Sequence, residues 1–74
     1  MPRPPLQFRL TTPDVTALEA LVHGGVQPVR VVLRALALLA LDRGDSAPTV
    51  AVAVRLSPQA VRNIAQRYRR EGLD

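Results

Sequence analysis

Cysteine, lysine and tryptophan are all missing from this 74-residue sequence, and histidine occurs once. Without cysteine there is no disulfide framework and no thiolate chemistry. A single histidine, His23, cannot build a zinc site of the usual histidine and cysteine type. A chain this short supports one small domain with a thin core, which argues against an enzyme with a deep pocket.

Long apolar runs are also scarce. The most apolar stretch, 31–41, covers eleven residues and is interrupted by Arg34, whereas a membrane span needs roughly 20 apolar residues. The first ten residues lack the apolar centre of an export signal. We therefore expect a cytoplasmic protein that has no membrane partner.

All ten basic residues are arginines, and they are unevenly distributed along the chain. Residues 46–70 contain five arginines and no Asp or Glu, whereas the rest of the chain carries five arginines and six acids. The whole positive excess therefore lies in one segment, and a local field of this kind attracts polyanions. The alternative is that the arginines only decorate a solvated helix.

Capping residues and hydrophobic periodicity predict an all-α fold, a small bundle of about four helices. Thr12 is the expected N-cap of the first helix, with Pro13 at the first helical position. Ser57 and Pro58 begin the last helix in the same way. The helices are expected at about 13–23, 28–43, 48–54 and 58–70.

A Pro-rich arm at 1–11 is expected to precede the helical domain at 12–74. Three prolines oppose helix formation there, and Leu6, Phe8 and Leu10 alternate with polar residues at strand period. We expect this extended segment to dock on the domain and tether the N-terminus.

The helix expected at 28–43 is apolar on nearly every side. One face carries Val29, Val32, Leu33, Leu36 and Leu39. A second face carries Val31, Ala35, Leu38 and Leu41. Such a helix is either central in its domain or part of a dimer interface, and both interpretations stay open.

Residues 48–67 have the pattern of a helix-turn-helix: a short helix, a turn at Arg55-Leu56 and a longer basic helix. Ala51 is the small residue expected where the two helices approach most closely. The apolar positions that let these helices pack at a steep angle are Val50, Val54, Leu56, Val61 and Ile64.

The helix expected at 58–70 has an apolar stripe and a polar stripe on opposite sides. Arginine can bond guanine, and Asn and Gln can bond adenine, in the major groove of double-stranded DNA. The expected base contacts are Gln59, Arg62, Asn63 and Gln66. The expected contacts to the DNA backbone are Ser57, Arg67, Arg69 and Arg70. The alternative is a helix face that only meets water.

Four motifs occur together in residues 34–74: a long apolar helix ending at Gly44, a short helix led by Ser46, Ser-Pro-x-x-Val-Arg at 57–62, and Arg-x-Glu-Gly-Leu at 69–73. With these motifs, residues 10–74 resemble the N-terminal helix-turn-helix region of bacterial insertion-sequence transposases of the mariner-like DDE type.

The resemblance implies a homeodomain-like domain that recognises the terminal inverted repeats of an insertion element. In such transposases a catalytic domain with three metal-binding carboxylates follows, and this sequence ends at Asp74 without it. We therefore expect no catalysis, cofactor, metal or small-molecule substrate in this chain.

Two residues depart from the pattern of the resembled family. Arg55 replaces the glycine that is usual in the turn, so it must adopt a left-handed conformation or reshape the turn. Ile64 stands where tryptophan is common, which thins the core.

Other interpretations remain open. One is a stand-alone transcriptional regulator that uses the same mechanism at a different DNA site. Another is a protein-interaction or dimerisation module that uses the apolar helix at 28–43. Specific DNA binding would require a homodimer, a second DNA-binding module or both, because a single small module binds DNA weakly.

Overall fold

The structure is a computed structural model that describes residues 8–72, and within this range it contains four α-helices and no strand. The helices are α1 (Thr12–His23), α2 (Val29–Arg43), α3 (Ala47–Val54) and α4 (Pro58–Glu71). The predicted all-α bundle of four helices is confirmed, and each helix end lies within one residue of its expected position.

Helix α1 begins one residue earlier than expected, so the prediction of Thr12 as its N-cap is wrong. The cap is Thr11, whose backbone is extended and whose hydroxyl accepts the Asp14 N–H at 3.4 Å. Pro13 then takes the second helical position, where its missing N–H still removes no intrahelical bond. Two adjacent threonines are equivalent caps by residue type, and proline suits either register, so local sequence does not separate them.

Helix α2 lies at the centre of the bundle and packs against α1, α3 and α4. Ala35, Ala37 and Leu38 are buried along it, and Ala37 is 0% exposed. Val29 and Leu36 remain 72% and 39% exposed, so the predicted apolar face is only partly covered. The helix is thus central in the bundle, one of the two interpretations that the sequence left open, and two of its large apolar side chains still reach solvent.

The core consists of two clusters of small and medium side chains. The first joins the N-terminal segment, α1, α2 and α4 through Phe8, Leu18, Ala35, Leu38 and Ala65. The second joins α2, α3 and α4 through Ala37, Val50, Ala51, Val54 and Val61. Burying one valine-sized side chain contributes about 1.5–3 kcal/mol, so the second cluster fixes the packing of α4 on α3.

Helices α2 and α3 end in the same geometry on chemically different residues. Gly44 has φ 107° after α2, and Arg55 has φ 59° and ψ 39° after α3. The Leu56 N–H donates to the Ala51 carbonyl at 3.0 Å, as the residue after Gly44 donates to the Ala40 carbonyl at 3.1 Å. Arg55 thus adopts the left-handed conformation, which costs a residue other than glycine about 1–2 kcal/mol.

The segment before α1 docks on the bundle, as predicted for its apolar positions. Phe8 is buried, Leu10 is half-buried and Arg9 between them is exposed. The Leu10 N–H donates to Asp42 Oδ1 at 2.8 Å, which ties this segment to the end of α2. Leu6 and the three prolines of the arm lie outside the described residues.

We predict that Ala51→Leu lowers the free energy of unfolding by about 1–3 kcal/mol, because the added atoms have no space between α3 and α4. Ala51 is 3% exposed and sits among Val50, Val54 and Val61. Urea unfolding followed by circular dichroism measures the loss. Ala53→Leu is the matched control, since Ala53 is exposed on the same helix. Equal stability of the two variants would contradict the close approach at Ala51.

Candidate nucleic-acid interface

The N-terminus of α4 is built by Ser57 and Pro58. Ser57 has an extended backbone, with φ −78° and ψ 155°, and its Oγ accepts the Ala60 N–H at 3.1 Å. Pro58 occupies the first helical position, where its lack of an N–H is harmless. Both residues are exposed, so the positive end of the helix dipole faces solvent.

The inner face of α4 holds the helix against the bundle. Val61 and Ala65 are 0% and 4% exposed, and Ile64 and Tyr68 are half-buried beside them. This is the apolar stripe that the sequence predicts. Because these four residues fix the rotation of the helix about its axis, they decide which side chains face outward.

The outer face of α4 carries the four residues predicted to contact bases. Gln59, Arg62, Asn63 and Gln66 are all exposed. Gln59 Nε2 donates to Asn63 Oδ1 at 2.9 Å, one helical turn apart. The pair leaves the Gln59 carbonyl oxygen and the Asn63 amino group available to other partners. The face therefore presents amide and guanidinium groups, the chemistry that reads base edges in a major groove.

The predicted backbone contacts near the end of α4 differ in their surroundings. Arg67 Nε lies 3.3 Å from Glu71 Oε2, one turn further along the helix. The guanidinium carbon of Arg69 lies 5.6 Å from the centroid of the Phe8 ring. Arg70 is exposed. No local pattern indicates the stacking of Arg69, because Phe8 lies at the other end of the chain.

The acids of the described residues are mostly engaged away from the outer face of α4. Asp42 accepts the Leu10 N–H, and Asp45 pairs with Arg43 at 2.6 Å. Asp14 accepts the hydroxyl of Tyr68. Since no acid occurs from 46 to 70, every charged side chain of α4 up to Arg70 is an arginine. A surface of this kind attracts a polyanion.

A groove of about 290 Å³ runs between α1, α2 and α4, beside the outer face. Its floor is apolar, with Leu18 and Leu38 among the lining residues, and it is also lined by Arg34, Asn63 and Arg67. Arg34 was not among the predicted site residues. Its place near α4 depends on how α2 packs, which its own sequence context does not specify.

A contact between Tyr68 and Asp14 joins α4 to α1. The tyrosine hydroxyl donates to Asp14 Oδ2 across 54 positions of sequence, and the Tyr68 ring lies 5.5 Å from that of Phe8. The hydrogen bond to Asp14 raises the pKa of Tyr68 above its usual value of 10.0, and burial adds to the rise. Hydrogen bonds with the backbone and side chain of Thr11 lower the pKa of Tyr68 and so oppose this rise.

Within residues 8–72, no three His, Asp or Glu side chains come together in a way that could hold a metal ion. The same part of the chain contains no helix long and apolar enough to cross a membrane.

The fold and the exposed face of α4 define a helix-turn-helix domain. Residues 28–74 match the family described as a homeodomain-like domain, so the chain belongs to this family of helix-turn-helix DNA-binding domains. The match covers α2, α3 and α4, whereas α1 and the segment before it lie upstream. No curated protein and no solved structure matches the chain.

We predict that the stabilising effect of the Tyr68 contact is lost at high pH. A raised pKa means that the folded state favours the protonated phenol, so the contribution is present below about pH 10 and disappears as the pH rises through the raised value. Tyr68 is the single tyrosine, so phenolate absorbance reports its ionisation directly.

Tyr68→Phe should lower the free energy of unfolding at neutral pH by about 1 kcal/mol, because one hydrogen bond is removed. Its stability should then lack the decline near pH 10 that the parent chain shows in thermal unfolding. An identical decline in both proteins, or a phenol that ionises at its usual pKa, would contradict the role assigned to Asp14.

Proposed function

We propose that this domain binds double-stranded DNA in a sequence-specific manner, with α4 in the major groove. The observation that carries the proposal is the division of α4 into a buried apolar face and a basic, amide-rich outer face. Helix-turn-helix domains place their second helix in the groove in this way. Family membership supports DNA as the partner.

Within this proposal the polar residues of α4 have two roles. The residues that contact bases are Gln59, Arg62, Asn63 and Gln66, since all four side chains are exposed on the outer face of α4. Ser57, Arg67, Arg69 and Arg70 contact phosphates near the two ends of the helix. A salt titration of binding to a mixed-sequence duplex tests the electrostatic part, and selection from random duplexes gives the site.

The resemblance to mariner-like insertion-sequence transposases supports the terminal inverted repeats of such an element as the target. On this proposal the domain delivers a transposase to the element ends in the bacterial cytoplasm, and the transposition chemistry belongs to a separate catalytic domain. A stand-alone regulator would use the same face of α4. The downstream coding sequence distinguishes the two, because a transposase continues with spaced Asp, Asp and Glu residues.

A second candidate function is protein interaction or homodimerisation through α2. It is favoured by the exposure of Val29 and Leu36 and by a groove between α1, α2 and α3 that Leu36 helps to line. No residue of α4 lines that groove, so a second copy bound there leaves the DNA-facing helix accessible. Absence of binding to mixed duplex DNA at low salt would favour an interaction module alone.

Replacing Arg62 tests the assignment of base-reading residues. Arg62→Ala should weaken binding to the selected site by about 1–3 kcal/mol and relax the preference at one base pair. Arg70→Ala is the matched control on the same helix. It should weaken binding to all sequences alike and reduce the salt dependence, since a phosphate contact carries no sequence information. Equal losses on random duplex for both variants would contradict the division of roles.

The hydrogen bond between Gln59 and Asn63 predicts coupling between their contributions to specific binding. Each single alanine variant should weaken binding to the selected site, and the double variant should lose less than the two single losses combined. A double-mutant cycle by fluorescence anisotropy measures this coupling. Additive losses would show that the two amides act independently on DNA.

A further inference from the structure

Arg55 is the one residue other than glycine with positive φ among residues 8–72, at 59°. It ends α3 and forms the turn that leads into α4. The geometry is the one that Gly44 adopts at the end of α2, where the chain uses glycine. Glycine would therefore satisfy the backbone of this turn, and the turn itself gives no reason for an arginine at position 55.

The side chain of Arg55 gives the isolated domain no compensating contact. It is exposed, and its guanidinium forms no hydrogen bond or ion pair with any other residue from 8 to 72. Its charge also lies in the segment 46–70, which holds four other arginines and no acid. Within the described residues, nothing therefore offsets the cost of its left-handed backbone conformation.

This cost is offset when a polyanion binds to this side of the domain and gives the guanidinium a partner. Arg55 stands two positions before Ser57, the N-cap of α4. Its flexible side chain therefore starts close to the N-terminus of α4, the helix that carries the exposed amides. A DNA strand passing that helix end presents phosphates, and arginine donates two parallel hydrogen bonds to such a group.

We propose that Arg55 is a DNA-contacting residue that binds a backbone phosphate at the entrance of α4 into the groove. This inference rests on the proposed DNA-binding function. It adds a DNA contact from the turn between α3 and α4 to the contacts proposed for α4. Arg55 thereby lowers the stability of the unbound domain and raises its affinity for DNA.

The test is a pair of measurements on Arg55→Gly that should move in opposite directions. Thermal unfolding should shift to higher temperature by a few degrees, because the left-handed strain is removed. Binding to a mixed-sequence duplex should weaken, and the slope of log K against log salt should become shallower by about 0.9, the value for one phosphate contact.

Arg55→Lys and Arg43→Ala complete the design. Arg55→Lys retains the charge and the strained backbone, so it should keep the salt slope and the unfolding temperature of the parent chain. Arg43→Ala removes an exposed arginine that is paired with Asp45, outside the basic segment, and should leave the salt slope unchanged.

The two ways of failing are distinguishable. If Arg55→Gly is more stable and binds the duplex with unchanged affinity and slope, Arg55 is only a poor helix end and the proposal is wrong. If the parent chain itself fails to bind the duplex at low salt, the proposed DNA-binding function falls, and the phosphate contact falls with it.

Discussion

The packing of α4 on α2 and α3 through small side chains is the constraint on which the rest of the structure depends. Val61 on α4 packs with Ala37 and Val50 in one cluster, and Ala65 packs with Ala35 and Leu38 in the other, with almost no exposed surface. Because these side chains are short, the helices approach closely and the rotation of α4 is fixed. Every property of the outer face, including which arginines meet solvent, follows from that rotation.

Helix α1 and the segment before it pack on the side of α2 and α4 that lies away from α3. Phe8 and Leu18 cover the part of the α2–α4 junction that α3 does not reach, and they lie outside the part of the chain that matches the homeodomain-like family. Tyr68 is bonded to Asp14 on α1, and Arg69 stacks on Phe8. The C-terminal end of α4 is thus held by residues that three helices alone would not supply.

The charged side chains are also unevenly placed relative to the outer face of α4. Asp42 and Asp45 are bound to groups away from α4, and Asp14 accepts the hydroxyl of Tyr68 on the inner face of α4, so none of the three lies on its outer face. Glu71 beside Arg67 is the exception, at the last turn of the helix. The segment 46–70 thus carries positive charge with no acid of its own, which suits a domain that approaches a polyanion.

Local patterns predicted much of this architecture. Ser57 and Pro58 marked the start of α4 because capping is a short-range interaction, and the spacing of Val61, Ile64, Ala65 and Tyr68 identified its buried face. The same patterns misplaced the cap of α1 by one residue. They did not indicate that Leu36 stays 39% exposed, because periodicity shows which residues share a face and not how far the neighbouring helices cover it.

The sequence by itself determined the helical class, the four segments, the two faces of α4 and the basic stretch at 46–70, since each depends on residues close together in the chain. Tertiary structure alone decided that Tyr68 bonds to Asp14, that Arg69 stacks on Phe8 and that Arg34 lies near Asn63 across a groove. These contacts join distant residues, and their partners are chosen by the angle and depth at which helices pack, for which no local pattern carries a signal.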